Sequence, residues 1–442
     1  MANGATGTAG RAIRRRADGR DHLHSDAQRP ANGPAVRETA VREQGRARSA
    51  RRTVAVLGTG VLAIGTDMFV VAGILGGIAT DLGVTVGSAG LAVTVFALTY
   101  ATGAVLLAPL LSAQPPRRVL VVSAAAFAVL NVLSALAPTL PALLAARLLS
   151  ALAASAFVPA AAGAAVAAVP ASHRGRALGT VVGCMSAATV LGAPAGVLLA
   201  SASTWRAAFA LPAVLAAATV VGLALTRDEP GRRAEPVARC RDAEPGARCR
   251  AAVRERLLPL GSPAVAATLA VTFLLMTASY STYTYLPLLL SGAAVPLGSG
   301  LFIAVFGLAG IAGTWWGGRA ADRRGPGSVV GPAVAVSAAA FAALPHTSST
   351  VVAAAVVVAG WGTAVWGFVP AQQHRLIGLC TAAPPLLLAL HSGAVHLGSA
   401  AGSLLGGLVV DSAGAGRLWT VAVFCCGAAW VVHTALARKE NR

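Results

Sequence analysis

Residues 302–325 read FIAVFGLAGIAGTWWGGRAADRRG, an uncharged apolar run that ends in a short, strongly charged segment. This run closes a longer stretch, 257–318, that contains no Asp, Glu, Lys or Arg. Two further stretches without these residues follow, 325–374 and 376–410. Because about 20 apolar residues span the hydrocarbon core of a bilayer, these stretches predict an integral membrane protein with several spans.

Composition agrees with this prediction and excludes other classes. The chain has 442 residues, of which 56% are hydrophobic and 12% are charged, about half the charge of a soluble protein. A net charge of +19 is typical of nucleic-acid binding when taken alone, but the arginine-rich segments 11–52 and 227–256 lack the interleaved aromatic residues of such sites. Lys439 is the single lysine, so a phosphate-binding P-loop, and with it an ATP-driven pump within this chain, is excluded.

The apolar pattern divides the chain into two sets of six spans. A polar segment separates the sets, and it contains a tandem repeat, AEPVARCR (234–241) and AEPGARCR (243–250), typical of a low-complexity linker. The predicted spans are 54–79, 88–111, 118–137, 141–168, 176–200, 207–226, 262–287, 298–317, 328–345, 350–371, 385–409 and 418–436. The predicted domains are a disordered basic cytoplasmic tail (1–52), an N-terminal six-helix bundle (53–226), a cytoplasmic linker (227–258), a C-terminal six-helix bundle (259–437) and a cytoplasmic tail (438–442).

Basic residues between the spans predict the orientation. Almost all of them fall on one side of the predicted membrane, including Arg375, and only Arg206 and Arg417 lie on the other. Since short cytoplasmic loops carry the excess of Lys and Arg, we expect a multi-pass protein of the cytoplasmic membrane with both termini in the cytoplasm.

An internal repeat relates the two sets of spans. A shift of 210 residues superposes the second span on the eighth. The matched residues are Val95, Phe96, Leu98 and Gly103 on Val305, Phe306, Leu308 and Gly313. Two homologous halves with a binding site between them near the membrane midplane are the architecture of secondary transporters.

The segment after the eighth span carries a spaced signature, GGRAADRRG (317–325). Glycine permits a tight turn at the membrane surface, and Asp322 is expected to pair with a nearby arginine and latch the turn to neighbouring helices. A generic arginine-rich loop is the alternative. The spacing resembles the loop signature of the major facilitator superfamily, and its residues here are Gly318, Arg319, Asp322, Arg323 and Gly325. The equivalent first-half loop, LLSAQPPRRVL (110–120), is a degenerate copy.

Three further segments are similar to one branch of that family, the twelve-helix drug:proton antiporters, near the chloramphenicol-resistance and arabinose or metabolite-efflux groups. They are GTDMFVVAGILGGIATDLGV (65–84), LLAARLLSALAASAF (143–157) and VLGAPAGVLLASASTWRAAF (190–209). The resemblance covers roughly residues 54–436. It implies an all-α integral membrane fold of twelve transmembrane helices in two pseudo-symmetric six-helix bundles.

Asp67 and Arg147 are the candidate proton-coupling residues. Asp67 is about halfway along the first span, where an acid costs about 2.5–3.5 kcal/mol to insert and indicates function by default. Burial favours its protonated form and a nearby cation favours its ionised form, so it can load and release a proton. Arg147 in the fourth span matches the family's coupling arginine, and a purely structural ion pair is the alternative.

Small residues in the fifth span, Gly192, Pro194 and Gly196, resemble the antiporter hinge of the family. Glycines four residues apart let helices approach closely, and proline limits regular hydrogen bonding. The same spacing at Gly398, Gly402 and Gly406 favours ordinary helix packing.

Aromatic and polar residues inside the spans are candidates for the substrate cavity: Tyr100, Asn131, Tyr283, Trp361 and Trp366. An aromatic belt at the membrane surface explains Tyr280, Tyr283 and Tyr285 equally well. His391 and His396 lie on different faces of the eleventh span, so metal binding is disfavoured, and satisfied polar packing is expected, with proton relay as the minority alternative.

These features predict a proton-coupled antiporter that exports small amphipathic molecules such as drugs or antibiotics, with efflux of a sugar or other endogenous metabolite as the alternative. Its expected partners are the small-molecule substrate, protons and the lipid bilayer, without nucleic acid, and it is expected to be monomeric. No cofactor or metal is expected. A membrane-embedded enzyme would need clustered acids, His–Glu pairs or an activated nucleophile within the spans, which the sequence lacks, and a sensor without transport activity remains a third possibility.

Overall fold

The computed structural model describes residues 34–111, 114–226, 261–290, 300–347, 350–379 and 384–440. Within them, twelve helices are long and apolar enough to cross a bilayer, as predicted. We number them α1 (Pro34–Leu82), α2 (Val86–Leu111), α3 (Pro116–Ala135), α4 (Leu140–Ala167), α5 (Arg174–Ala202), α6 (Trp205–Leu225), α7 (Pro263–Tyr283), α8 (Gly300–Arg324), α9 (Gly327–Ala343), α10 (Val351–Leu379), α11 (Pro384–Ala413) and α12 (Leu418–Glu440).

The start of α1 corrects one prediction. A disordered tail was expected as far as residue 52, but residues 34–52 are helical. This segment is rich in Ala and Arg, which are good helix formers, and it belongs to the same helix as the apolar residues that follow, so no new helix nucleus has to form. The predicted linker 227–258 lies outside the described residues.

Helix contacts follow the same pattern in the two halves. In the first half α4 packs against α2 and α3, and α6 packs against α3; in the second half α10 packs against α8 and α9, and α12 packs against α9. Between the halves, α2 contacts α11 and α5 contacts α8. Each contact has its counterpart six helices later, so the fold is pseudo-symmetric, as the repeat predicted.

Matched glycines illustrate the repeat at the level of single residues. A Cβ on Gly103 of α2 would contact the side chain of Ser155 on α4. A Cβ on Gly313 of α8 would contact the backbone of Thr363 on α10. Glycine at both positions lets the second helix of each half approach the fourth helix closely.

Two turns fix the ends of the bundle. Gly83 joins α1 to α2 with a φ of 64°, and Gly325 joins α8 to α9 with a φ of 82°. L-residues with a Cβ are strained at such positive φ values. Because successive spans alternate in direction, these turns lie at opposite membrane surfaces, which we call the Gly83 end and the Gly325 end. Large apolar side chains on the outside, such as Phe424 at 78% exposure, are in the position of lipid contacts.

Candidate transport site

A buried ion pair joins α1 to α4. Arg147 donates through Nη1 to Oδ1 of Asp67 at 2.5 Å, and the two side chains are 1% and 0% exposed. The guanidinium carbon also lies 4.3 Å from the centroid of the Phe96 ring on α2, within the range of a cation–π contact. The structure thus brings together the two residues that the sequence singled out for proton coupling.

This pair is incompletely satisfied. Among the described residues, neither Oδ2 of Asp67 nor Nε of Arg147 has a hydrogen-bond partner. A buried ion pair repays its desolvation only when its remaining polar atoms are also bonded. The arrangement is therefore suited to a change of charge state rather than to stability alone.

Helix α5 packs against α1 beside this pair. Its α-helix is interrupted by a π-helical turn, Ala188–Gly192, before the α-helix resumes at Ala193. A Cβ on Gly192 would contact Thr66, and one on Gly196 would contact Val70. π-Helical turns often occur at functional sites, and this one, which the sequence did not predict, places the proposed hinge next to Asp67.

A cavity lies between α1 and the second half. Its lining residues are Phe69, Met276, Ser279, Tyr280, Tyr283, Phe306, Val365, Trp366, Val369 and Val395. None of these side chains is charged, and they come from α1, α7, α8, α10 and α11. The Tyr283 hydroxyl donates to the Phe69 carbonyl at 3.4 Å and so connects the halves across the cavity.

Asp67 does not line this cavity. Phe69, two residues further along α1, does, and two residues rotate a helix by about 200°. The candidate proton-coupling residue and the cavity are therefore separate sites in this structure. The ion pair and the cavity lie on different faces of α1, which makes α1 the physical connection between them.

The structure places only some of the candidate cavity residues at the cavity. Tyr283 and Trp366 line the cavity, and Trp361 packs behind it. Tyr100 instead stacks on His396 of the other half, with centroids 4.3 Å apart. Asn131 donates to the Phe127 carbonyl of its own helix and does not line the cavity.

The tyrosines at the end of α7 do not form an aromatic belt at the membrane surface, because Tyr280, Tyr283 and Tyr285 are all buried.

The histidines of α11 differ from each other. Polar packing was expected to satisfy both, and it does so only at His396, whose Nδ1 contacts the Ser392 carbonyl at 2.8 Å. Both ring nitrogens of buried His391 lack a partner in the described part of the chain.

A seam between α2 and α11 closes the halves at the Gly83 end. The Asp411 carboxylate accepts from the Thr85 hydroxyl at 2.7 Å and from the Gly87 N–H at 3.0 Å. Further along, Ser403 donates to the Gly90 carbonyl at 3.1 Å. Sequence reasoning missed Asp411, although it is the first charged residue after the stretch 376–410 and ends a span.

In the loop signature at the Gly325 end, Asp322 was expected to pair with an arginine, and the structure shows a different contact. The Asp322 carboxylate lies 3.8 Å from Nδ1 of His374, both side chains are exposed, and no arginine pairs with Asp322 among the described residues. The Arg319 guanidinium instead lies 3.8 Å from the ring centroid of Trp315. A Cβ on Gly318 would meet nothing within 4 Å, so its spacing in the signature is not explained by packing.

Arg375 was expected in a loop but lies within α10. Its side chain is 6% exposed, and Nη1 is 3.2 Å from Nδ1 of His433 on α12. Helix α10 extends to Leu379, beyond the predicted end of the span at residue 371, because the intervening AQQHRLIGL contains no helix breaker until Gly378.

Two pseudo-symmetric six-helix halves, a cavity at their interface and a buried ion pair beside it define the class of secondary transporters. Sequence comparison agrees: residues 56–377 match the Major Facilitator Superfamily. The chain belongs to this family and is a multi-pass membrane transporter, not an enzyme.

The relatives of the chain are transport proteins of similar length. It is 29% identical over 388 residues to the inner membrane transport protein YdhP of Escherichia coli (strain K12), covering 87% of this chain and 95% of that protein. It is 30% identical over 368 residues to the chloramphenicol resistance protein of Streptomyces lividans, covering 82% and 91%. The crystal structure of a D-xylose-proton symporter has a similar fold, with a TM-score of 0.70, 15% identity and coverage of 86% and 96%.

Proposed function

We propose that the protein is a proton-coupled antiporter that exports small, neutral, amphipathic molecules by alternating access. The observation that carries this proposal is the buried ion pair between Asp67 of α1 and Arg147 of α4. Phe69, two residues after Asp67 on α1, lines the cavity. The two halves rock against each other, so that the cavity opens to one side of the membrane and then to the other.

The lining of the cavity supports an amphipathic cargo. Aromatic and aliphatic side chains dominate it, and Ser279, Tyr280, Tyr283 and Trp366 supply the polar atoms. Small-molecule sites of this kind bind apolar bodies and use a few polar groups for orientation. The name of the Streptomyces lividans relative points to the same class, drugs and antibiotics. A sugar needs many more hydrogen bonds than this lining offers, so the metabolite alternative fits less well.

Coupling is indirect in this proposal. Protonation of Asp67 from outside removes the charge that holds Arg147, and α1 transmits the change to Phe69, lowering the affinity of the cavity for cargo. Release of the proton to the cytoplasm restores the ion pair and cargo binding. One proton crossing about 100 mV supplies about 2.3 kcal/mol, enough for a roughly fifty-fold cargo gradient.

The distribution of arginines supports an orientation with the Gly325 end in the cytoplasm. Arg117 and Arg118 at the start of α3 lie at that end, as do Arg174 and Arg176 at the start of α5 and the arginines in the last turns of α8. This distribution agrees with the positive-inside rule. We therefore propose that the protein lies in the cytoplasmic membrane with both termini inside the cell, and we propose separately that it is a monomer.

Transport into proteoliposomes tests the function, with chloramphenicol as the probe. Chloramphenicol flux is expected to increase when a proton gradient is imposed, and the variant Asp67→Asn is expected to lose this dependence while retaining downhill exchange. Flux that is indifferent to the gradient, together with an Asp67→Asn variant as active as the parent, would contradict the proposal.

A further inference from the structure

The C-terminal half contains a neutral counterpart of the Asp67–Arg147 pair. Trp361 of α10 donates its indole Nε1–H to Oγ of Ser279 on α7, at 3.4 Å. These helices are the fourth and the first of their half, as α4 and α1 are of the other half. Trp361 is 214 positions beyond Arg147 and Ser279 is 212 positions beyond Asp67, so the two contacts join equivalent helices but not the residues that the 210-residue shift pairs.

The aromatic neighbour is duplicated as well. In the first half the Phe96 ring lies 4.3 Å from the Arg147 guanidinium. In the second half Phe306, the residue matched to Phe96 by the sequence repeat, lies 4.6 Å from Trp361 between ring centroids. The two contacts thus lie on equivalent helices, and the sequence repeat matches their aromatic neighbour residue for residue.

The two copies differ in where they lie. Ser279 and Phe306 line the cavity, whereas Asp67 is sealed within its own half with no exposed surface. The ionisable copy is therefore kept away from the cavity, and the neutral copy forms part of the cavity wall.

The hydrogen bond from Trp361 determines what Ser279 offers to a ligand. A serine hydroxyl has one donor hydrogen and two acceptor lone pairs, and Trp361 occupies an acceptor site. The Ser279 hydroxyl donates to no group within the part of the chain that the structure describes, and the residue is only 2% exposed. A buried donor that lacks an acceptor is a strong determinant of specificity, because a ligand oxygen can satisfy it and a hydrocarbon cannot.

We propose that Ser279 is the hydrogen-bond donor that recognises cargo in this cavity and that Trp361 is the positioning residue that holds it. The cargo class that fits is a neutral molecule with an aromatic ring, for the wall formed by Phe306 and Tyr283, and with an oxygen acceptor, for Ser279. The inference rests on the proposed transport function and assigns its specificity to the second half.

Chloramphenicol, a neutral aromatic molecule with several acceptor oxygens, is the probe for the test in proteoliposomes. Ser279→Ala is expected to raise the KM about tenfold, the change that corresponds to about 1.4 kcal/mol, with the maximal rate and the response to a proton gradient unchanged. Ser279→Thr keeps the hydroxyl and is expected to restore the parent KM. Trp361→Phe is expected to raise the KM less, and the double variant no more than Ser279→Ala alone, because both act through one hydroxyl.

Ser281→Ala is the matched control, since Ser281 is buried on the same helix, bonds to the Ala278 carbonyl and does not line the cavity. A parent KM in Ser279→Ala, an equal change in Ser281→Ala, or additive effects of Ser279 and Trp361 would each overturn the inference. A parent protein that neither binds nor moves chloramphenicol would overturn the cargo class.

Asp67→Asn, measured in the same vesicles, separates this inference from the proposed function. Loss of proton dependence in Asp67→Asn alongside an unchanged KM in Ser279→Ala overturns only the role of Ser279. A parent flux that ignores the proton gradient, with a raised KM in Ser279→Ala, overturns only the proton coupling.

Discussion

Asp411, at the end of α11, accepts a hydrogen bond from the backbone N–H of Gly87 in the first turn of α2, at 3.0 Å. The carboxylate of one half therefore caps a helix of the other half, where the unpaired N–H groups and the helix dipole favour a negative charge. A Cβ on Gly87 would collide with Asp411 and with the Gly407 backbone, so glycine is required for this approach. Any motion that separates the halves at the Gly83 end has to break this contact.

Asp411→Ala is expected to favour separation of the halves at the Gly83 end. Loss of a helix cap costs about 1 kcal/mol, which corresponds to a roughly five-fold change in the ratio of closed to open molecules. The measurement is the distance distribution between spin labels at residues 136 and 416, which are exposed on opposite halves at this end, in a variant without native cysteines.

The control for this variant is Asp81→Ala. Asp81 lies at the same end and accepts hydrogen bonds from Trp205 and Arg206, both of its own half. Its loss is expected to leave the distance distribution unchanged. Equal shifts in the two variants would mean that the contact between Asp411 and α2 does not control closure.

Asp67→Leu is expected to destabilise the protein by about 3–5 kcal/mol, because it leaves Arg147 buried without its counter-charge. The double variant with Arg147→Met replaces the pair by apolar side chains and is expected to recover most of this loss without recovering proton-driven transport. Thermal unfolding in detergent measures the first effect and flux in vesicles the second. A double variant as unstable as the single one would show that the pair is not the source of the destabilisation.

Gly192→Ala is expected to slow transport about tenfold, a barrier change of about 1.4 kcal/mol. The added methyl group would contact Thr66 and push α5 away from α1 beside Asp67. Gly183→Ala on the same helix is the control, because its methyl group would meet nothing within 4 Å. Initial rates of chloramphenicol exchange, normalised to the amount of folded protein, distinguish the two. Similar rates in both variants would remove the hinge role from Gly192.

Gly325→Ala is expected to lower the free energy of unfolding by about 1–2 kcal/mol, because its φ of 82° lies in the region disfavoured for L-residues with a Cβ. Gly318→Ala, in the same signature but in a helix with open space around it, is expected to be neutral or stabilising. Thermal unfolding of the two variants side by side is the measurement. An unchanged free energy of unfolding in Gly325→Ala would mean that the turn adopts another backbone conformation without cost.

The sequence predicted the spans well because each apolar run carries its own signal, independent of the rest of the chain. It failed at the start of α1, where helix-forming polar residues continue an apolar helix, and at Arg375, which α10 buries instead of exposing. It placed Asp67 near the middle of the apolar part of α1, since position along a span can be read directly from the sequence. What the Asp67 face of α1 contacts depends on the packing of α4 and α5 against it, and the sequence of α1 alone does not predict that packing.

The cavity was predictable only in part for the same reason. Tyr283 and Trp366 stand out as aromatic residues within spans, but Ser279 and Val395 resemble ordinary helix residues until α7 and α11 are placed together. The internal repeat already contained the match between Phe96 and Phe306. The repeat does not pair Arg147 with Trp361, which are 214 positions apart, so the likeness of their two hydrogen bonds is visible only in the structure.

The 80 residues that separate Asp67 from Arg147 in the chain impose an order on biogenesis. During synthesis α1 enters the bilayer before α4 has left the ribosome, so its carboxyl group first meets lipid without a counter-ion. A lone carboxyl in hydrocarbon takes up a proton rather than remaining ionised, and the ion pair forms only when α4 docks. Assembly of the first bundle therefore ends with a deprotonation, and a newly made molecule passes once through the form in which Asp67 is protonated.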